Sequence, residues 1–238
     1  MSSLSKEELV RYHRQIILPG FGMEGQLKIK NARVLVVGAG GLGCPLLLYL
    51  TGAGVGTIGI IDFDTVDLSN MHRQILFDSD DIGKNKAVVA KEKLTRKNPN
   101  VNFEIFDRVL DERNASEIIS RFDVICDGSD NFLTRYLVND TCVKQGKPLV
   151  YGSVLRYEGQ LAVFNYHGGK QLRDLYPEAP EAEDVPSCSE AGVIGALPGI
   201  IGSMMAEKCI QVILGVEIPE NELMLYHTFA EGINQIQY

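Results

Sequence analysis

The sequence predicts an α/β fold in which a Rossmann-like, mostly parallel sheet continues into an antiparallel C-terminal half, with helices on both faces. Residues 34–62 are arranged as strand, glycine-rich turn, helix, strand and acid, which is the order of a dinucleotide-binding unit. Strand-like and helix-like segments then alternate as far as residue 151, as in a parallel sheet. From residue 157 the pattern changes, and residues 160–166 alternate apolar and polar side chains, which is typical of an antiparallel strand.

The glycine-rich turn lies between a buried strand and an apolar helix. Residues 34–37 are apolar, residues 38–43 (GAGGLG) fit G-x-G-x-x-G, and residues 42–53 favour a helix. The glycines permit a tight turn, a close approach of backbone to phosphate, and packing of the helix on the strand. A strand at residues 57–61 ends on Asp62, about 20 residues after the turn. A carboxylate at this position can accept hydrogen bonds from ribose hydroxyl groups. The turn therefore predicts a nucleotide site at the helix N-terminus.

Capping and breaking residues predict the other elements. Ser5 fits the N-cap of a helix over residues 5–18, which Pro19 and Gly20 end, and residues 25–30 favour a short helix. The remaining parallel half is predicted as helix 83–97, strand 101–106, helix 111–121, strand 123–126, helix 132–146 and a strand closing at 150–151. The antiparallel half is predicted as strand 160–166, a mobile polar loop at 167–189, an apolar helix at 190–214 broken by Pro198 and Gly199, and a hairpin of 223–229 and 233–237.

The chain contains no linker-like segment and no internal repeat, so residues 1–238 are predicted to form one domain. Its parallel, nucleotide-binding half spans about residues 31–152, and its antiparallel half spans about residues 153–238.

Composition excludes several classes of function. The formal net charge of −8 argues against a general nucleic-acid binder, because such proteins neutralise phosphates with Lys and Arg. The sequence has neither a signal peptide nor an unbroken run of about 18 apolar residues, so we expect a soluble cytoplasmic protein with no membrane partner. Five scattered cysteines do not indicate a disulfide framework, and no C-x-x-C pair offers a thiolate zinc site.

Polar segments after the strands are candidate binding residues. The segment from residue 62 to residue 74 is too polar for a core and too long for a simple turn. Lys84 and Lys86 open a helix, where positive charge opposes the macrodipole; either an anion binds there or both lysines project into water. Asp130 and Asn131 follow a strand at the same edge of the sheet, and Asp130 is either the N-cap of the next helix or a magnesium ligand.

Short motifs covering most of the chain occur in the order of one known family: RYxRQ at 11–15, GAGGLG at 38–43, Asp62, SNMHRQ at 69–74, GKNKA at 83–87, DGSDN at 127–131, and Cys188 before a glycine-rich helix. On these motifs the chain resembles the ThiF/MoeB/HesA adenylyltransferases, bacterial relatives of ubiquitin-activating enzymes. The resemblance implies that the C-terminal Gly-Gly carboxylate of a ubiquitin-like sulfur carrier, of ThiS or MoaD type, attacks the α-phosphorus of ATP and releases pyrophosphate. It also implies carrier binding by the antiparallel half and a homodimer in which Arg14 reaches the partner's ATP.

The chemistry and the resemblance together predict the roles of the site residues. Arg73 and Lys86 bring positive charge to the phosphates, Asp130 holds Mg²⁺, and Asp62 holds the ribose. The predicted catalytic residues are Arg14, Arg73, Lys86, Asp130 and Cys188. The predicted nucleotide-binding residues are Gly38, Gly40, Gly41, Gly43, Asp62, Asp64, Ser69, Asn70, Arg73, Gln74, Lys86, Asp130 and Asn131.

Cys188 has two open interpretations. By resemblance, thiamin-pathway members use a cysteine here for a covalent link to the carrier, whereas molybdopterin-pathway members need only adenylation. Its polar surroundings favour a reactive thiol, but the acidic neighbours disfavour the thiolate. The two C-x-x-C pairs that bind structural zinc in many family members are missing, so we expect no zinc, and no appended sulfurtransferase domain is expected either.

Two other classes of protein fit part of the pattern. An NAD-dependent oxidoreductase would explain the glycine turn and Asp62 but not the cations expected beside a triphosphate. A catalytically silent scaffold of the same fold would not explain the complete charged set. The sequence does not identify the carrier or its pathway.

Overall fold

The computed structural model describes residues 3–180, 191–230 and 232–238. Within these residues the strands are β1 Arg33–Val37, β2 Thr57–Ile61, β3 Asn102–Phe106, β4 Val124–Asp127, β5 Leu149–Leu155, β6 Glu158–Phe164, β7 Glu222–His227 and β8 Ile233–Gln237. They form one sheet in the order β3-β2-β1-β4-β5-β6-β7-β8. Pairing is parallel from β3 to β5 and antiparallel from β5 to β8, which confirms the predicted fold class.

Helices cover both faces of this sheet. Their bounds are α1 Lys6–Arg11, α2 His13–Ile16, α3 Gly22–Asn31, α4 Gly43–Ala53, α5 Lys86–Lys97, α6 Ala115–Ser120, α7 Phe132–Gln145, α8 Leu172–Leu175 and α9 Ala196–Leu214. Successive side chains of a strand point to opposite faces. Val34 and Val36 of β1 accordingly join the core beneath α4, α5 and α9, whereas Leu35 and Val37 join the core beneath α6 and α7.

Helix α9 is part of the core. Among the described residues it is the one helix that is long and apolar enough to cross a membrane, yet eight of its 19 residues are buried in the protein. It contacts α4, β5 and β6. Pro198 lies in its first turn, where the missing N–H removes no helical hydrogen bond. The predicted break at Pro198 and Gly199 is therefore wrong, and the helix starts at Ala196 rather than residue 190.

The N-terminal helix predicted over residues 5–18 is wrong as one element, because α1 and α2 are separated at Tyr12. The Tyr12 ring is buried, and its hydroxyl accepts a hydrogen bond of 2.8 Å from Nδ2 of Asn98. Anchoring this ring to the core turns the chain between the two helices. Ser5 caps α1 as predicted, with Glu8 completing a capping box, and α3 starts at Gly22, earlier than expected.

The segment predicted as a polar loop contains one helical turn, α8, whose N-terminus is closed by a capping box of Gln171 and Asp174. A capping pair separated by three residues is a helix signal that the prediction missed. Residues 181–190, including Cys188, lie outside the described part of the chain.

The glycine turn is held in place by backbone contacts. Gly38 adopts φ +89°, a conformation that favours glycine, and its N–H donates to the carbonyl of Ile61 at 2.9 Å. A Cβ at Gly43 would overlap the carbonyl oxygen of Gly38. The first turn of α4 can therefore sit against the end of β1 only because Gly43 has no side chain.

This contact predicts opposite effects of two alanine substitutions in α4. Gly43→Ala should lower the free energy of unfolding by about 3 kcal/mol, because the new methyl group meets backbone. Gly52→Ala, in the same helix, meets open space and should raise it by about 0.5–1 kcal/mol. Urea unfolding of both variants measures the difference, and equal effects would contradict the assigned contact.

Candidate functional site

A cleft with about 930 Å³ of empty volume opens at the carboxyl ends of β1, β2 and β4. Ligands of open parallel sheets bind at this edge. Ten of the predicted nucleotide-binding residues line it: Gly38, Gly40, Gly41, Asp62, Asp64, Arg73, Gln74, Lys86, Asp130 and Asn131. The structure thus brings together side chains from four separate motifs of the sequence.

The glycine turn forms a floor that leaves room for a ligand. A Cβ at Gly40 would have a single neighbour within 4 Å, Nε2 of Gln74 at 3.7 Å. Gly41 is more confined, because its Cβ would lie 3.0 Å from Pro198 and 3.4 Å from Arg73. The helix N-terminus that follows supplies N–H groups with no helical partner, so the floor favours an anion.

Asp62 is oriented by the backbone around it. Its Oδ2 accepts a hydrogen bond of 2.7 Å from the N–H of Ala39, and its Oδ1 accepts one of 2.9 Å from Asp64. Burial nevertheless raises the pKa of Asp62, although these hydrogen bonds and Lys86 lower it. The carboxylate is fixed at the rim of the cleft, in the position predicted for a ribose contact.

The two lysines at the start of α5 have different surroundings. Lys86 is 4% exposed, and its Nζ lies 2.8 Å from Oδ2 of Asp64, whose side chain is half exposed. Lys84 is exposed and lies 3.7 Å from Asp81. The suggestion that both lysines project into water is therefore wrong for Lys86. Its buried charge sits in the wall of the cleft next to the glycine turn.

Arg73 is held by the motif that precedes it. Its guanidinium donates to Oδ1 of Asn70 at 2.6 Å and to the carbonyl of Ser69 at 3.4 Å. Neither Ser69 nor Asn70 lines the cleft, so the structure places these two predicted contact residues behind Arg73. Gln74 is 4% exposed, and its Oε1 has no hydrogen-bond partner in the described structure.

Asn131, and not Asp130, caps the helix that follows this motif. Asn131 is the N-cap of α7, where its Oδ1 accepts from the N–H of Thr134 at 2.9 Å. The interpretation of Asp130 as the N-cap is therefore wrong. Its exposed carboxylate faces the cleft, where a hard oxygen ligand beside phosphates suits Mg²⁺.

Asp127 and Arg135 also lie at or beside the cleft, and neither was predicted as a site residue from the sequence. Asp127 is fully buried at the end of β4, its Oδ1 accepts from the N–H of Ser129 at 2.9 Å, and burial raises its pKa. Its Oδ2 and the Oγ of Ser129 have no partner in the described structure. Arg135 is 6% exposed and lines the cleft. Asp127 directly ends an apolar strand, which is a usable signal, whereas Arg135 in isolation resembles a surface residue of a helix.

The remaining predicted residues lie elsewhere. Arg14 is exposed on α2, and the neighbouring Gln15 donates to the carbonyl of Ala53 at the last residue of α4. The glycine turn is at the other end of that helix, about 16 Å away. Gly43 lies beneath the turn rather than in the cleft, and Cys188 is outside the described residues. Burial raises the pKa of Cys44 to about 12, which agrees with a packing role.

Fold and cleft define a nucleotide-binding protein of the Rossmann type. The chain belongs to the ThiF family, which matches residues 12–237. This assignment confirms the predicted family and class of enzyme, a nucleotidyltransferase, and favours it over the NAD-dependent oxidoreductase.

Named relatives agree with the family, and a solved structure shares the fold. The chain is 50% identical to the sulfur carrier protein adenylyltransferase of Thermus thermophilus over 98% of its own length and 88% of that protein. It is 48% identical to the probable adenylyltransferase/sulfurtransferase MoeZ of Mycobacterium tuberculosis, over 90% of its own length but 56% of MoeZ, so it spans about half of that relative. The structure of E. coli MccB with MccA shares the fold, with a TM-score of 0.84 at 21% identity over 98% of this chain and 72% of that one.

The raised pKa of Asp127 predicts a pH-dependent effect of Asp127→Asn. Because the folded state binds this proton more tightly than the unfolded chain, ionisation above the ordinary value of 3.8 destabilises the fold. The asparagine carries no such cost, so its stability relative to the wild type should increase as the pH rises. Urea unfolding of both proteins at about pH 4 and about pH 8 gives this double difference. A relative stability that is equal or greater at the acidic pH would contradict the burial argument.

Proposed function

We propose that the protein is an ATP-dependent adenylyltransferase that activates the C-terminal glycine carboxylate of a ubiquitin-like sulfur carrier protein. A carboxylate oxygen forms a bond to the α-phosphorus, the bond from that phosphorus to the bridging oxygen breaks, and pyrophosphate leaves with the electron pair. The observation that supports this most directly is the convergence of Arg73, Lys86 and Asp130 on one cleft with the glycine turn and Asp62.

The reaction needs no general base, because the attacking carboxylate is already ionised at neutral pH. The barrier comes instead from bringing an anion to a polyanion and from the charge that develops on phosphate. A cleft that supplies fixed cations and alignment lowers this barrier. The buried ammonium of Lys86 and the braced guanidinium of Arg73 are suited to that role.

The groups that line the cleft would contact different parts of ATP and its metal ion. The Asp62 carboxylate accepts hydrogen bonds from the ribose hydroxyl groups, and the N–H groups at the start of α4 donate hydrogen bonds to phosphate. Lys86 stays beside Asp64 and still attracts the phosphates, since the half-exposed carboxylate of Asp64 is partly screened by water. Asp130 would hold Mg²⁺, which neutralises charge on the phosphates and on the departing pyrophosphate.

We also propose that two copies of the chain form the active enzyme, with Arg14 acting in the partner's cleft. Within its own chain Arg14 lies near the end of α4 that is remote from the glycine turn. Exposed apolar side chains support a contact between copies: Ile17 and Leu18 directly follow α2, and Tyr49 lies on α4.

The proposal extends to the setting of the reaction. The activated carrier would serve sulfur transfer in thiamin or molybdopterin synthesis, by a soluble cytoplasmic enzyme without zinc. Cys188 would form a covalent link to the carrier in the first pathway and would be dispensable in the second.

Substitution of either cation tests the proposal. Lys86→Ala and Arg73→Ala should each reduce carrier-dependent exchange of labelled pyrophosphate into ATP by at least about a hundredfold, because each removes charge stabilisation at the phosphates. Both variants should remain folded, since Asp64 is half exposed and Asn70 lies near the surface. Lys91→Ala, at an exposed position of the same helix as Lys86, is the matched control and should exchange normally. Wild-type exchange by either cleft variant would refute its role.

Mixed dimers test the role of Arg14. Arg14→Ala and Lys86→Ala should each be inactive alone, but mixing them should restore exchange, because one of the two clefts in a mixed dimer then has both residues. The matched control, Arg11→Ala, removes an exposed arginine from the preceding helix and should be active without mixing. Absence of restoration in verified mixed dimers would show that Arg14 does not act across subunits.

A further inference from the structure

Arg14 lies on a helix that is too short to set its own orientation. Helix α2 has four residues, and isolated helices shorter than about 12 residues are marginal in water. The Arg14 side chain is exposed and has no hydrogen bond or ion pair with another described residue. Arg11, at the end of α1, is by contrast paired with Glu7 and with the carbonyl of Lys97. The position of Arg14 therefore depends on the contacts of its neighbours.

Gln15, the residue after Arg14, fixes α2 to two other helices. Its Nε2 donates to Oε1 of Gln26 at 2.8 Å and to the carbonyl of Ala53 at 3.2 Å. Gln26 is fully buried on α3 and donates its own Nε2 to the same carbonyl at 2.9 Å. Because the last carbonyl groups of a helix have no partner within it, the two glutamines satisfy the end of α4 while they hold α2 in place.

Tyr12, two residues before Arg14, makes a second anchor at the same end of α4. Its ring is buried against Gly54, where a Cβ would come within 2.4 Å of the ring. Gly54 caps α4 with φ +86°, so both its conformation and this contact favour glycine. The Tyr12 hydroxyl accepts a hydrogen bond from Nδ2 of Asn98, which also donates to the carbonyl of Thr51 at 2.8 Å.

Both anchors end on residues 51–54, and they lie on either side of Arg14 in the sequence. Successive side chains of an α-helix diverge by about 100°, so Gln15 can point inward while Arg14 faces solvent. We propose that Gln15, together with Tyr12, is a positioning residue that holds Arg14 where it reaches the cleft of the partner subunit. This inference rests on the dimer proposed above, in which Arg14 acts across subunits.

The position of Arg14 depends on α2 more than the other cations of the site depend on their helices. Arg73 and Lys86 are held by oxygens of Asn70 and Asp64 in their own chain. Arg14 has no such brace, so a tilt of α2 displaces its guanidinium directly. A displacement of about 1 Å at a catalytic group can lower a rate by about a hundredfold. The anchors themselves lie about 16 Å from the glycine turn of the same chain, at the other end of α4.

Mixed dimers can place one substitution in either of two roles. One chain carries Arg14→Ala and keeps an intact cleft, and the other carries Lys86→Ala and provides Arg14, so only the mixed dimer has a complete site. Gln15→Ala in the chain that provides Arg14 should lower carrier-dependent pyrophosphate exchange by about tenfold. Gln15→Ala in the chain with the intact cleft should leave exchange within about twofold, because the anchor is remote from that cleft.

The two mixed dimers, purified through a different affinity tag on each chain, contain the same set of substitutions. A general loss of stability would therefore lower both equally. Equal losses, a loss only in the second arrangement, or no loss in either would overturn the proposal. The matched control is Gln145→Ala, which removes another half-buried glutamine that donates twice, here to Ser116. It lies at the end of α7, on the opposite face of the sheet, and should leave exchange unchanged in both arrangements.

Tyr12→Phe decides the matter if Gln15→Ala does not fold. It keeps the buried ring and removes only the hydroxyl that accepts from Asn98. The same asymmetry should appear with a smaller loss, about threefold, because a single hydrogen bond is removed. Equal effects in the two arrangements would overturn the proposal here as well.

This inference and the proposed dimer fail in different ways. If the Arg14→Ala and Lys86→Ala chains restore no exchange in verified mixed dimers, Arg14 does not act across subunits and both proposals fall. If these chains restore exchange and Gln15→Ala lowers it equally in both arrangements, only the positioning role is refuted.

Discussion

The parallel pairing of β1 with β2 on one side and β4 on the other is the constraint on which the site depends. Val37 pairs with Ile61 and with Asp127, so these three strands end at the same level of the sheet. A different polar segment lies at the end of each strand. The glycine turn follows β1, Asp62 and the loop after it follow β2, and the 127–131 motif lies at the end of β4. Because the register places these segments side by side, their side chains line one cleft at the carboxyl edge of the sheet.

The electrostatics of the site contrast with those of the whole chain. The net charge is −8, yet Lys86, Arg73 and Arg135 converge on one cleft. Each is braced by an oxygen: Lys86 by Asp64, Arg73 by Asn70 and Arg135 by backbone and hydroxyl. Cations that are fixed before the ligand arrives need little reorganisation during the reaction. A preorganised site has this property, whereas mobile basic side chains on a surface do not.

The strands, helix α4 and the cleft could be predicted because local patterns and topology determine them. The division of roles within the 69–74 motif could not, since only packing decides that Arg73 reaches the cleft while Asn70 stands behind it. Two further features could not be predicted, because each depends on a contact with a distant part of the chain. The break at Tyr12 depends on Asn98, which is 86 residues away, and Arg135 acquires its position from Tyr151 on the next strand. Periodicity within one segment carries no information about either partner.

Some buried polar side-chain atoms at the cleft have no hydrogen-bond partner in the described structure. Six buried side-chain atoms lack a hydrogen-bond partner in the described structure, and three of them belong to Gln74, Asp127 and Ser129 at or beside the cleft. Burying such atoms costs free energy that a purely structural region would avoid. The pKa of Asp127 is raised for the same reason, because its carboxylate is held where water cannot solvate it. These polar groups lie at or beside the cleft that Arg73 and Lys86 line, and departures from local optimality are expected where a site must bind a ligand.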